Sequence, residues 1–114
     1  MALFSSPAVF SGIARQVQDG GTVQVVTFDV ERVWKGALPK RVALYQLYMS
    51  EAVKISIGAR YLIVAHTQTD AEREQSRISQ PASMLGINVC ASRSFEEAEQ
   101  HGELRALGPG RLPD

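Results

Sequence analysis

Apolar and polar residues alternate along the first third of the chain, and a period of two predicts strands rather than helices. Pro7–Gln18 (PAVFSGIARQVQ) reads as a first strand with Val9, Ile13 and Val17 on one face. Gly12 interrupts the other face, which predicts a bend or a close backbone approach. Asp19-Gly20-Gly21 is a hairpin signal, because glycine adopts positive φ without steric cost. A long second strand follows in TVQVVTFDVERVWKG. Val23 and Val25 share one face, whereas Val26, Phe28 and Val30 share the other. That phase slip at Val25–Val26 predicts a β-bulge, and Val33 after Arg32 predicts another.

Arg41–Met49 (RVALYQLYM) predicts a third strand, nearly apolar on both faces. The segment SEAVKIS after it fits either a short helical turn or an irregular loop. Gly58 marks a turn into a buried fourth strand, ARYLIVAH, and Met84–Ser92 (MLGINVCAS) predicts a fifth. Between these two strands, Thr67–Ser83 is polar and without apolar periodicity, and predicts a long exposed excursion with a helical turn around Ala71–Arg77. Ser94 followed by Glu97 is a capping box at a helix start. Phe95, Ala98, Leu104 and Leu107 approximate one face of that helix, Gly108 suits the position after its end, and Pro109 prevents continuation.

Long bulged strands curl, and curled strands build small barrels. The expected class is therefore mainly β: a five-stranded, closed or partly open barrel of the oligonucleotide/oligosaccharide-binding (OB) type with a C-terminal α-helix. Residues 7–108 form that domain, residues 1–6 an N-terminal segment and residues 109–114 a plain tail. Trp34, the single tryptophan, is expected at the barrel rim, covering the open end of the core while its N–H reaches a carbonyl or water.

Composition narrows the chemistry. Lys plus Arg and Asp plus Glu number 12 each, giving zero formal charge, and the cations are scattered, which argues against a nucleic-acid partner. No apolar run approaches the roughly 20 residues of a membrane span. With one cysteine, Cys90, neither an intrachain disulfide nor a cysteine-cluster zinc site is available. A nucleophilic Cys90 would need a base, and only His66 and His101 are candidates. Glu96, Glu97, Glu99 and Glu103 read as favourable charge at a helix start and a solvated face, since paired catalytic carboxylates must oppose one another across a cleft. Tyr45, Tyr48 and Tyr61 beside Phe28 and Trp34 raise a stacking platform for bases or sugars. Alternation separates Tyr45 from Tyr48, and core and rim packing explains these rings better. The residues thus predict no catalytic group, no metal and no cofactor.

Four pieces in order, AVFSG (8–12), FDVERVWKG (28–36), GARYLIVA (58–65) and GINVCASR (86–93), followed by a short acidic helix ending LRALG, resemble bacterial relatives of the tissue inhibitor of metalloproteinases (TIMP) in the netrin-like superfamily. The resemblance spans roughly residues 7–108. It implies an OB-type barrel, a non-catalytic protein-binding role and an exported setting (periplasmic, cell-surface or secreted) with a signal lying upstream; the alternative setting is cytoplasmic. Family members begin with Cys-x-Cys, whose partners lie before the G-x-RYL strand and in the fifth strand. Only Cys90 matches here, as an orphan disulfide candidate, and Met1-Ala2 stands where the zinc-chelating cysteine would be. The expected binding rim comprises Phe4, Ser5, Trp34, Lys35, Tyr48 and His66, facing another protein, which would include a protease. Two alternative functions are metalloproteinase inhibition through the N-terminal segment and oligosaccharide or nucleic-acid binding.

Overall fold

The computed structural model describes residues 7–19, 23–47, 53–67, 84–88 and 92–113. Six strands run in chain order as β1 (Ala8–Asp19), β2 (Val23–Lys35), β3 (Arg41–Leu47), β4 (Arg60–His66), β5 (Gly86–Ile87) and β6 (Arg93–Ser94), followed by helices α1 (Phe95–Gln100) and α2 (Glu103–Leu107). Neighbours follow the order β1-β2-β3-β5-β4, and β4 returns to pair with β1, so five strands close into a barrel with β6 outside on β4. All pairings are antiparallel except β3–β5. This is the OB-type barrel with C-terminal helical structure that the strand count predicts.

Why this stretch curls is visible in the β1–β2 register. Trp34 is an extra residue between the pairs Val9↔Lys35 and Phe10↔Val33, Glu31 between Ser11↔Arg32 and Gly12↔Val30, and Arg15 between Ala14↔Phe28 and Gln16↔Thr27. Each extra residue bends the ribbon and reverses the in/out phase. The expected irregularity before Val33 is therefore present. The one at Val25–Val26 is not: β2 pairs with β3 without interruption from Val23↔Leu47 to Asp29↔Arg41. Val23 and Val25 are apolar because their face is covered too, by Tyr45 and Met84 in a separate cluster outside the barrel. The bulge at Arg15 also corrects the shared face assigned to Val9, Ile13 and Val17. Val9 lies on the outer side under the helices, whereas Val17 packs against the interior.

The interior is built from Phe10, Phe28, Val30, Val33, Leu44, Tyr61 and Ile63 with smaller neighbours, all buried. Phe28 meets Phe10 edge-on at 5.6 Å between centroids and Tyr61 at 6.3 Å, an arrangement favoured by the ring quadrupoles. The Tyr61 hydroxyl accepts from the Ser56 N–H at 2.7 Å and donates to the Lys54 carbonyl at 3.1 Å, so its polar end is satisfied where it leaves the core. β4 reads as uniformly apolar because it is buried on both faces. Tyr61, Ile63 and Ala65 point into the barrel, and Leu62 and Val64 point out beneath the helices. Gly12 is required where β1 crosses β2: a Cβ there would stand 2.8 Å from the Asp29 carbonyl oxygen.

Three further expectations are refined. The fifth strand, expected over Met84–Ser92, is present as the two-residue β5, and a further short strand, β6, lies beyond its expected end. Asn88 N–H still donates to Val64 O at 2.8 Å, but Ser92 N–H then turns back to Asn88 O at 2.8 Å. The buried Ser92 hydroxyl accepts from the Val64 N–H at 2.9 Å, standing in for the missing ladder partner. The single helix is likewise two. Ser94 caps α1 through its hydroxyl, which accepts from the Glu97 N–H at 3.2 Å. Gly102 at φ 75° then breaks the helix before α2 restarts. The tail is not plain either, because Arg111 forms an antiparallel bridge with Val33, with N–H···O distances of 2.7 and 2.8 Å. The third strand's Tyr48 and Met49, the Thr67–Ser83 excursion beyond Thr67, and Val89–Ala91 lie outside the described residues.

A cleft between barrel and helices as candidate functional site

The helices dock on the outer face of β1 and β4, where Val9, Leu62, Val64 and Ala98 are buried and Trp34, Leu104 and Leu107 pack around them. Trp34 therefore does not cover the barrel's open end. As the extra residue of a bulge it is turned outward while Val33 stays inside, and its indole N–H donates to the Gly108 carbonyl at 2.8 Å. The expected carbonyl partner is present, but it belongs to the turn after α2. Gly110 lies against the same ring, where a Cβ would be 3.0 Å from the indole. Arg111 continues the strap, its guanidinium donating to the Gly36 carbonyl.

Between this docked helical layer and the bulged part of β2 lies an open cleft of about 340 Å³. Trp34, Phe95 and Leu104 wall it, buried Ser11 lies at its floor, and Gly108 and Pro109 close one side. Three charged side chains border it: Glu31, Arg32 and Arg60. Arg60 donates to Glu31 from Nε at 2.5 Å and from Nη2 at 3.1 Å, a two-point pair, and its guanidinium carbon lies 5.3 Å from the Phe95 ring centre. The Arg32 side chain is exposed and forms no ion pair or hydrogen bond with a described residue. Farther along the same outer face of β2, Asp29 accepts from Arg15 Nε at 2.6 Å and from Arg41 Nε at 2.9 Å. Those hydrogen bonds, from Arg15 first and then Arg41, hold its carboxyl below the ordinary value of 3.8.

Of the six residues expected to form one rim, Trp34, Lys35 and His66 are described. Trp34 borders the cleft, and Lys35 follows it at the end of β2, partly exposed. His66 ends β4, next to Ala65, which pairs with Ala8 as Lys35 pairs with Val9 from the other side of β1. Its ring packs edge-on to Tyr45 at 5.9 Å and over Gly86, and Nδ1–H donates to the Thr67 carbonyl at 2.8 Å. Phe4, Ser5, Tyr48 and Cys90 lie outside the described residues. His101 is exposed and accepts from Arg93 Nη1 at 3.0 Å. The aromatic rings serve separate packing clusters: Phe28 and Tyr61 inside the barrel, Tyr45 beside Val23, Trp34 under the helices. Among the described residues no group of three or more His, Cys, Asp or Glu is placed to hold a metal ion, and no helix is long and apolar enough to cross a membrane.

Periodicity alone did not point to the cleft. Its signal was the bulge before Val33, which turns Glu31, Arg32 and Trp34 outward together, combined with the apolar face of a helix that has to dock somewhere. The fold and site thus define an OB-type barrel with a helix-walled cleft on its outer surface. No family model, curated protein or solved structure matches the chain.

Proposed function

We propose that the chain is a non-catalytic protein-binding module, the role its resemblance to TIMP/netrin-like domains implies, and that the helix-walled cleft is its docking face. The observation that carries this reading is the cleft itself. Large apolar side chains, Trp34, Phe95 and Leu104, each partly buried, line an open cleft. Apolar and aromatic groups beside an arginine are the side chains that dominate binding at protein interfaces. Strand pairing holds Trp34, and its hydrogen bond to Gly108 ties the helical layer to the same wall, which lowers the ordering cost of binding.

The test compares the wild-type chain with Leu104→Arg as bait in an extract of the organism that makes it. The variant must first match the wild type in far-UV circular dichroism and urea midpoint. A defined protein retained by the wild type and lost with Leu104→Arg is the expected result. Equal recovery by both, or recovery by neither, overturns the docking face.

A further inference from the structure

We infer that the cleft takes an acidic segment of the partner: an apolar side chain seated against Trp34, Phe95 and Leu104, with a neighbouring carboxylate against Arg32. This rests on the protein-binding reading above and adds the chemistry of the partner to it.

The charge around the cleft is unbalanced in one direction. Glu31 and Arg60 neutralise one another through two hydrogen bonds, at 2.5 and 3.1 Å, and the Arg60 guanidinium is further held over Phe95. Arg32 has no such partner among the described residues and is exposed at the border of the same cleft. Of the three charged side chains that line the cleft, the one left over for an occupant is therefore a cation. A carboxylate arriving there gains a charge-assisted, two-point hydrogen-bond partner, which guanidinium geometry favours. An ammonium group instead meets a like charge.

Size and polarity define the rest of the occupant. A volume of about 340 Å³ lies at the small end of ligand pockets, which suits one or two side chains rather than an extended cofactor. The indole N–H is already committed to the Gly108 carbonyl, so Trp34 offers its ring and not a donor. The walls therefore favour an apolar group and leave the polar recognition to Arg32. Ser11 and Arg32 are paired across the β1–β2 ladder, so Arg32 springs from a strand position opposite the cleft floor rather than from a distant loop.

Trp34 is the only tryptophan, so its emission reports on this cleft without labelling. The probes are three capped dipeptides, acetyl-Leu-Asp-amide, acetyl-Leu-Asn-amide and acetyl-Leu-Lys-amide, titrated at low salt to tens of millimolar. Ligands of this size are expected to bind in the millimolar range. A saturable shift with the Asp peptide, about twofold to fivefold tighter than with the Asn peptide and fading at high salt, is the expected result. Arg32→Gln should erase the preference and Arg32→Glu should invert it toward the Lys peptide, with the far-UV spectrum unchanged. Equal affinities for the three peptides, or an Asp preference that survives Arg32→Glu, overturn the inference. So does the lack of a saturable shift with any of them. In each of those cases a Leu104-dependent protein partner would still leave the docking face standing, so the two failures are distinguishable.

Discussion

Replacing Trp34 by phenylalanine isolates the joint between the barrel and its helical layer. The indole N–H donates to the Gly108 carbonyl at 2.8 Å, and the ring is packed against Gly110 and the cluster of Val9, Leu62, Val64 and Ala98. Phenylalanine keeps an aromatic ring there but removes the donor, at a cost of about 1 kcal/mol for a typical internal hydrogen bond. The smaller ring forgoes further apolar contact, on the order of 0.5–1 kcal/mol for a half-buried side chain. The sum is about 1.5–2 kcal/mol, against a total stability of about 6–17 kcal/mol expected for 114 residues. In urea, with a slope of about 2 kcal/mol/M, the midpoint should fall by roughly 0.8–1 M, followed by far-UV circular dichroism because the fluorophore is gone. Hydrogen exchange should locate the damage. The amides of Ala106 and Gly108, which bond to Gly102 and Leu104, should lose protection while those of Ile63 and Val64 keep theirs. A midpoint within 0.2 M of the wild type, with those helical amides unchanged, would refute the assignment of Trp34 as the link between the two layers.

Two other perturbations probe the barrel and its surface. Gly12→Ala should cost about 1–3 kcal/mol by urea denaturation, because its Cβ would stand 2.8 Å from the Asp29 carbonyl oxygen and strand backbone cannot rotate aside; a neutral change would mean that β1 and β2 do not approach so closely. Asp29 has its carboxyl lowered in the folded state, so the stability it contributes is present above 3.8 and is lost as pH falls through the lowered folded value. Asp29→Asn should therefore be less stable than the wild type at neutral pH and equal to it in strong acid; a thermal-melting difference that stayed constant across that range would contradict the ion-pair account.

How much of this was legible in the chain depends on what each signal encodes. The barrel was legible, because strand periodicity and the bulge before Val33 are local properties of consecutive side chains. The slip at Val25–Val26 was misread for a physical reason: a second apolar face normally means a bulge, but here Tyr45 and Met84 cover it from outside. Alternation cannot distinguish those cases, because it records burial and not what does the burying. The turn of Ser92 back to Asn88 was equally hidden, since there the Ser92 hydroxyl, and not a backbone carbonyl, accepts from the Val64 N–H. Ser94 and Gly108 bounded the helical region correctly, whereas Gly102 did not announce that it would divide it. Trp34 was identified as a rim residue able to reach a carbonyl. That the carbonyl would be Gly108, 74 positions away in sequence, was a tertiary fact. His66 and Trp34 belong to different packing clusters, the first against Tyr45 and the second under the helices, which alternation along single strands does not reveal.

The central claim, that the helix-walled cleft is the surface that meets a partner, is tested most directly by mapping contacts with a photo-reactive residue. Benzoylphenylalanine placed singly at Pro109 and Gln100, which border the cleft and the adjoining groove along the helices, would be compared with Ile57 and Lys40, which border neither. Irradiation in an extract of the producing organism should join one protein to the chain from Pro109 and Gln100 and not from Ile57 or Lys40. Cross-linking of equal strength from all four positions, or from Ile57 and Lys40 alone, would contradict the claim.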